Sequence, residues 1–294
     1  MTDYLNVPPI SLNGKTIKIV AIITMFIDHF TCCFLEVATT AEGISVMYAI
    51  PYGYQLDRLG RTIGRCAFPV FCFMLVEGFI HTRSRAKYGL RLLIFAAISE
   101  VPFCLIFFPD SPNRHADTIF TLLIGYLVIW GTDVAASFFL EEKYRPTQEY
   151  REHKETKAIR ELSRKVFGDL DAEDRPQGFT LERGLRHVGF LAVSIALLFA
   201  GSYIAKYFGC DYSYGGVGTI MLLYYFYRIR PFSLLVAWIW LSVYNQNELM
   251  AITGFWLIYC YNGERGKQSK YFFYVFYPLH LMVLYLIRKS IFGM

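Results

Sequence analysis

Charge is scarce in this 294-residue chain. Only 18% of its residues are Asp, Glu, Lys or Arg, where a soluble domain carries about 25%. With 55% hydrophobic and 18% aromatic residues, that shortage excludes a disordered chain and a collagen-like fibre, and it argues against an ordinary soluble enzyme. Disulfide and metal frameworks are missing too. None of the seven cysteines (Cys32, Cys33, Cys66, Cys72, Cys104, Cys210, Cys260) stands in C-x-x-C spacing. Most lie in apolar runs, where Cys acts as a small hydrophobe. Residues Met1–Gly14 carry no basic stretch and the first apolar run has no small-residue cleavage site, so no cleaved signal is expected. No internal repeat of the transporter kind is visible. Gly215, Gly216 and Gly218 follow no phosphate-loop pattern and read as close helix packing. Neither a bound metal nor a nucleic-acid partner is expected.

The charge that is present is concentrated. Glu141–His187 holds 22 of the 53 charged residues, 11 of each sign, so the net charge of +5 belongs to the rest of the chain. Opposite charges lie four apart at Glu141/Arg145, Arg151/Glu155, Lys157/Glu161 and Glu161/Lys165, beside a thin apolar stripe of Ile159, Leu162 and Val166. This pattern predicts a solvated helical hairpin. It divides the chain into membrane parts at 1–140 and 188–294 around a charged cytoplasmic insertion at 141–187.

The low-charge parts break into apolar runs that predict an all-α polytopic membrane protein embedded in a lipid bilayer. About nine spans are expected, at Ile17–Ala38, Thr62–Ile80, Gly89–Phe108, Thr118–Leu140, Val188–Phe208, Tyr214–Tyr227, Phe232–Gln246, Leu249–Tyr261 and Tyr271–Ile287. Ile44–Leu56, rich in Pro, Gly and Tyr, reads as interfacial or re-entrant. Loop charges predict N-in, C-out, although Arg288 and Lys289 at the outer end oppose the trend.

Ionisable residues inside spans are functional candidates, because lipid makes them costly. Lys18, His29 and Glu36 fall on one face of the first span at spacings of 11 and 7. The rise puts His29 about 16 Å beyond Lys18, near the midplane. Asp28 lies one step round the helix. Counting residues from the cytoplasmic side puts Glu100 and His280 at a similar depth, and a His with a carboxylate can act as a base and its orienting group. His29, Glu100, Asp28 and His280 are therefore the catalytic candidates. Arg58, Arg61 and Arg65 form a basic face at the start of the second span, with Glu36 as a partner for Arg65; these four are the substrate-binding candidates. Glu77 precedes a basic turn of His81, Arg83, Arg85 and Lys87, which suits lipid head groups or cofactor phosphates.

Five stretches carry a family resemblance: IKIVAIITMFIDHF (17–30), RTIGRCAFPVFCFMLVEGFIHT (61–82), ISEVPF (98–103), DYSYGG (211–216) and YNGERGKQSKYFFYVFYPLH (261–280). Together they resemble the TraX family, which acetylates the N-terminus of conjugative pilin and is similar to the wider transmembrane acyltransferases. That wider group takes acyl groups from acyl-CoA on the cytoplasmic side and uses a His on the first span. Its recurrent pattern is a basic residue, ten positions, then His. Lys18 and His29 match it, with Lys where Arg is more usual, and Arg65–Phe73 is similar to a second pattern of the group. The resemblance implies acetyl-CoA as acyl donor and His29 as the catalytic residue. It puts Lys18, His81, Arg83, Arg85, Lys87 and Arg91 on the CoA side. The implied acceptor is pilin or another cell-surface molecule, and the implied location is the bacterial inner membrane.

An imidazole at this depth suits general-base catalysis, or becomes acylated itself; the residues leave both routes open. Two other readings compete. In a proton-coupled transporter, His29, Glu100 and His280 would form a relay. In a non-catalytic appendage-assembly factor, they would only hold the bundle together.

Overall fold

The computed structural model describes residues 10–108, 115–140, 181–267 and 272–293. It is an all-α polytopic membrane protein. Helix α1 (Gly14–Thr31) runs on into a π-helical turn at Cys32–Val37. There follow α2 (Val46–Ala49), α3 (Gly53–Gly64), α4 (Ala67–His81), α5 (Arg85–Phe107) and α6 (Thr118–Phe139). The second half contains α7 (Leu181–Tyr207), α8 (Ser213–Tyr225), α9 (Arg230–Tyr244), a 3₁₀ segment (Gln246–Ala251), α10 (Ile252–Tyr259) and α11 (Phe272–Phe292). The charge pairs expected between 141 and 165 lie outside the described residues.

Six stretches are long and apolar enough to cross a bilayer: Gly14–Val37, Gly53–His81, Arg85–Phe107, Thr118–Phe139, Gly184–Tyr207 and Phe272–Phe292. The other three expected spans fall on α8, α9, and the 3₁₀ segment with α10, all of them shorter. The 13 residues of α8 rise only about 20 Å, against a hydrocarbon thickness of about 30 Å. Nine of them, from Gly215 to Tyr224, are buried. A helix apolar all round is an interior helix as readily as a span, and α8 packs among α4, α6, α7 and α9. Its glycines lie under the rings of Tyr244, Phe68 and Trp240, as close packing requires.

The approach of α3 to α1 positions the site. Gly53, Asp57, Gly60 and Gly64 share one face of α3 and are all buried. A Cβ on Gly60 would run into the Thr31 side chain, and one on Gly64 into the Asp28 carboxylate. Two glycines four apart let the backbones meet, as small residues do between membrane helices. Arg61, carried between them, is thereby brought to α1.

The starts of α1 and α6 are capped by side chains. Asn13 Oδ1 accepts from Thr16 N–H (3.0 Å) at the start of α1. Asp117 Oδ1 accepts from Phe120 N–H (3.0 Å) at the start of α6. Arg288, expected as an outer loop charge, is instead 2% exposed. It donates to Ile106 O (2.7 Å) and Leu105 O (2.8 Å), the last carbonyls of α5. Its charge therefore complements a helix C-terminus inside the protein, not a loop.

Asp117 is fully buried, and burial pushes its carboxyl up from 3.8 to about 7, against the hydrogen bond from Ser99. Between those values the folded protein holds a proton that the unfolded chain has released. Stability therefore declines as pH rises through that window and levels off above it. The expected result is a thermal midpoint that falls between about pH 4 and pH 7, with the slope flattened in Asp117→Asn. An equal slope in the variant would refute it.

Candidate active site

A cavity of about 680 Å³ runs along α1, lined by Gly14 and Lys18 at one end and by Asp28 and His29 at the other. Helix geometry makes Lys18 to His29 about 16 Å. The first end is basic, with Lys18, His81, Arg91 and Arg265. Lys18 Nζ lies 5.4 Å from the Phe273 ring centroid, and the Arg91 guanidinium 5.6 Å from that of Tyr88. Glu77 also lines this end, accepting from Tyr227 Oη–H (2.7 Å). The middle is apolar, walled by Ile22, Met25, Phe71, Met74 and Leu75.

At the far end two histidines meet. His29 Nδ1 lies 2.8 Å from His280 Nε2, with the rings nearly parallel (6°) and centroids 5.0 Å apart. His280 Nδ1 lies 2.9 Å from the Phe276 carbonyl oxygen. A carbonyl only accepts, so His280 carries its proton on Nδ1 and presents an unprotonated Nε2. His29 must then donate from Nδ1, and its lone pair is on Nε2. The pair is a directed chain, Phe276 O to His280 to His29, that fixes the tautomer of His29 and leaves one basic nitrogen. His280 is buried, while His29 is half-buried and lines the cavity.

Beyond the pair lies an ionic layer. Asp28 Oδ2 accepts from Arg61 Nη1 (2.7 Å), and Arg61 Nε reaches Glu36 Oε1 (3.2 Å). Cys32 Sγ donates to Glu36 Oε2 (3.1 Å). Arg65 Nη1 binds Glu248 Oε1 (2.6 Å), so its partner is Glu248 and not the expected Glu36. Arg61 stands one turn nearer to Glu36 and takes that carboxylate. Burial pushes the Glu248 carboxyl up to about 7 in spite of Arg65.

Asp211 and Tyr212 also line the cavity. Asp211 Oδ2 accepts from Thr118 Oγ1–H (2.7 Å), and the Tyr212 ring stacks on Phe68 at 3.6 Å. Tyr212 has φ +59° and Ser213 φ +38°. Such a conformation is uncommon for a bulky residue and clusters at functional sites.

The structure brings together His29, His280 and Asp28, and at the basic end Lys18, His81 and Arg91. Other candidates lie elsewhere. Glu100 does not orient His29: Oε2 accepts from Asp117 N–H (3.0 Å) and Oε1 from Cys104 Sγ (3.4 Å). Its carboxylate faces the start of α6 instead. Arg58 is exposed on the far side of α3 from its buried glycines. Arg85 is held by Asp133 (2.5 Å) over the Phe79 ring, and Arg83 and Lys87 are exposed and off the cavity. The residues missed from the sequence are Arg265, Asp211, Tyr212 and Glu248. The DYSYGG stretch was the available signal for Asp211 and Tyr212. Among the described residues, no group of three His, Cys, Asp or Glu side chains could hold a metal ion.

Fold and site define a polytopic helical membrane protein with a histidine pair at the end of a long cavity whose other end is basic. The sequence places it further: the family described as TraX protein matches residues 13–137 and 184–288, and the chain belongs to that family. The unmatched stretch between them includes most of the charged insertion. The chain is also 24% identical over 296 residues to the probable fimbrial assembly protein FimC, serogroup H1, of Dichelobacter nodosus, covering 94% of this chain and 95% of that protein. No solved structure matches the chain.

Proposed function

We propose that this protein is an inner-membrane acetyltransferase that moves acetyl from cytoplasmic acetyl-CoA to an amine or hydroxyl acceptor. The observation that carries this reading is the single cavity joining the basic end to the His29–His280 pair. Its volume lies in the range of small-molecule sites, about 300–1,000 Å³. Lys18, Arg91 and Arg265 suit phosphates, and the apolar middle suits a flexible arm leading towards His29. Acetyl-CoA supplies an acetyl group activated as a thioester. His29 Nε2 takes the proton of the acceptor as its nucleophile attacks, or itself receives the acetyl group; both routes use the same nitrogen. His280 holds that nitrogen in place by fixing the opposite one. The FimC relative is named for fimbrial assembly, which together with the family resemblance supports pilin, or another surface molecule, as acceptor.

The test is transfer of labelled acetyl from acetyl-CoA by purified protein, with the product identified by mass spectrometry. Substrate uptake into liposomes without acyl transfer would favour a transporter. Replacing both Arg91 and Arg265 by Gln should raise KM for acetyl-CoA about tenfold or more with kcat nearly constant, because those cations bind ground and transition states alike. An unchanged KM would remove the basic end from the donor site.

A further inference from the structure

At its His29 end the cavity meets a wall of two stacked rings. Phe68 and Tyr212 both line it, with their rings within 4° of parallel. Phe68 belongs to α4, which runs antiparallel to α1. Gly64, just before α4, lies against Asp28, and at the other end Glu77 acts electrostatically on Lys18. Eleven residues of α1 rise about 16 Å from Lys18 to His29, and nine of α4 rise about 14 Å from Glu77 back to Phe68. Phe68 therefore stands about level with His29 on a second wall of the cavity. Little lets its ring move. It is 3% exposed, and its tip touches Gly216, where an added Cβ would lie 2.9 Å from Phe68 Cζ. Tyr212 is fixed through its backbone. Gly216 N–H donates to Tyr212 O (2.8 Å) and Asp211 N–H to Ala116 O (2.9 Å), while Thr118 Oγ1–H holds the Asp211 carboxylate. These bonds fasten the turn to the start of α6 and keep Tyr212 at its positive φ.

We infer that the Phe68–Tyr212 stack is the end wall of the acyl pocket and restricts the donor to short acyl groups, an assignment that rests on the acetyltransferase reading. The thioester arm reaches His29 from the basic end, so an acyl chain longer than acetyl has to extend past His29 towards the two rings. Closely packed rings answer an extra methylene with strain rather than by opening. Selection at this wall is steric, and it acts on the length of the chain. Discrimination of this kind amounts to about ten- to 200-fold per methylene.

Butyryl-CoA is two methylenes longer than acetyl-CoA, so the wild-type protein should use it about 100-fold less well in kcat/KM, or worse. Phe68→Ala should raise the butyryl-to-acetyl ratio of kcat/KM about tenfold or more. Phe68→Leu keeps more of the packing and should move the ratio the same way by less; it carries the test if Phe68→Ala does not fold. The ratio is the readout because a variant that is merely loosened loses both donors in proportion. Wild-type protein that uses butyryl-CoA as readily as acetyl-CoA overturns the assignment, as does a ratio unchanged by the substitutions, and either leaves the acetyltransferase reading standing. No transfer of either acyl group by the wild-type protein overturns that reading instead. Binding of two unreactive thioethers then decides the wall. The wild-type protein should bind S-ethyl-CoA about tenfold more tightly than S-butyl-CoA, and the Phe68 variants should narrow that gap. Equal affinity in the wild-type protein, or a gap the variants leave unchanged, overturns the assignment.

Discussion

If the proposed acetyl transfer uses His29 as its base, His29→Ala should lower it by roughly 1,000- to 10,000-fold, the upper part of what a positioned base contributes, with the protein still folded. The imidazole is half-buried against the cavity, so its removal enlarges a space already present. His280→Ala should cost less, about ten- to a hundredfold, because it leaves the base in place and frees its tautomer and aim. The order of the two effects follows from the directed chain, in which His280 is bound to a backbone carbonyl and His29 faces the cavity. Steady-state rates with labelled acetyl-CoA measure both. A His280→Ala defect deeper than that of His29→Ala would reverse the assignment.

Gly64→Leu should destabilise the fold by about 3 kcal/mol or more. A side chain there meets the Asp28 carboxylate, so the substitution overpacks the α1–α3 contact, worth about 1–3 kcal/mol. It also separates Asp28 from Arg61, and breaking a largely buried ion pair adds a further penalty. The effect is read as a fall in thermal midpoint and in the yield of monodisperse protein. Thr62→Leu, at an exposed position on the same helix, should leave both nearly unchanged. Equal midpoints for the two variants would show that the glycine contact does not hold the helices together.

Much of this arrangement is legible in the sequence. Lys18 and His29 share a helix face because 11 residues make about three turns, and the structure has both lining one cavity. Depth counting also put His280 level with His29. The same count grouped Glu100 with them, because counting along a helix gives height and says nothing of azimuth. Glu100 points to Asp117, 17 residues on. The basic turn 81–91 reads as one patch in sequence, yet Arg85 is taken by Asp133, 48 residues away, and only His81 and Arg91 face the cavity. Arg65 finds Glu248 across 183 residues, a pairing that no local pattern encodes. The backbone strain at Tyr212 is likewise invisible until the chain is folded. At α8 apolar composition alone does not separate an interior helix from a short span.

The contact between His29 and His280 also sets a timetable. They are 251 residues apart, so at about 5–20 residues per second the ribosome needs roughly 10 to 50 s to supply the second after the first. Arg288, which closes the end of α5, arrives later still. Until then the nascent chain holds a histidine with no fixed tautomer and a helix with open carbonyls. A chain interrupted before His280 is added therefore leaves the first helices in the membrane without the histidine pair.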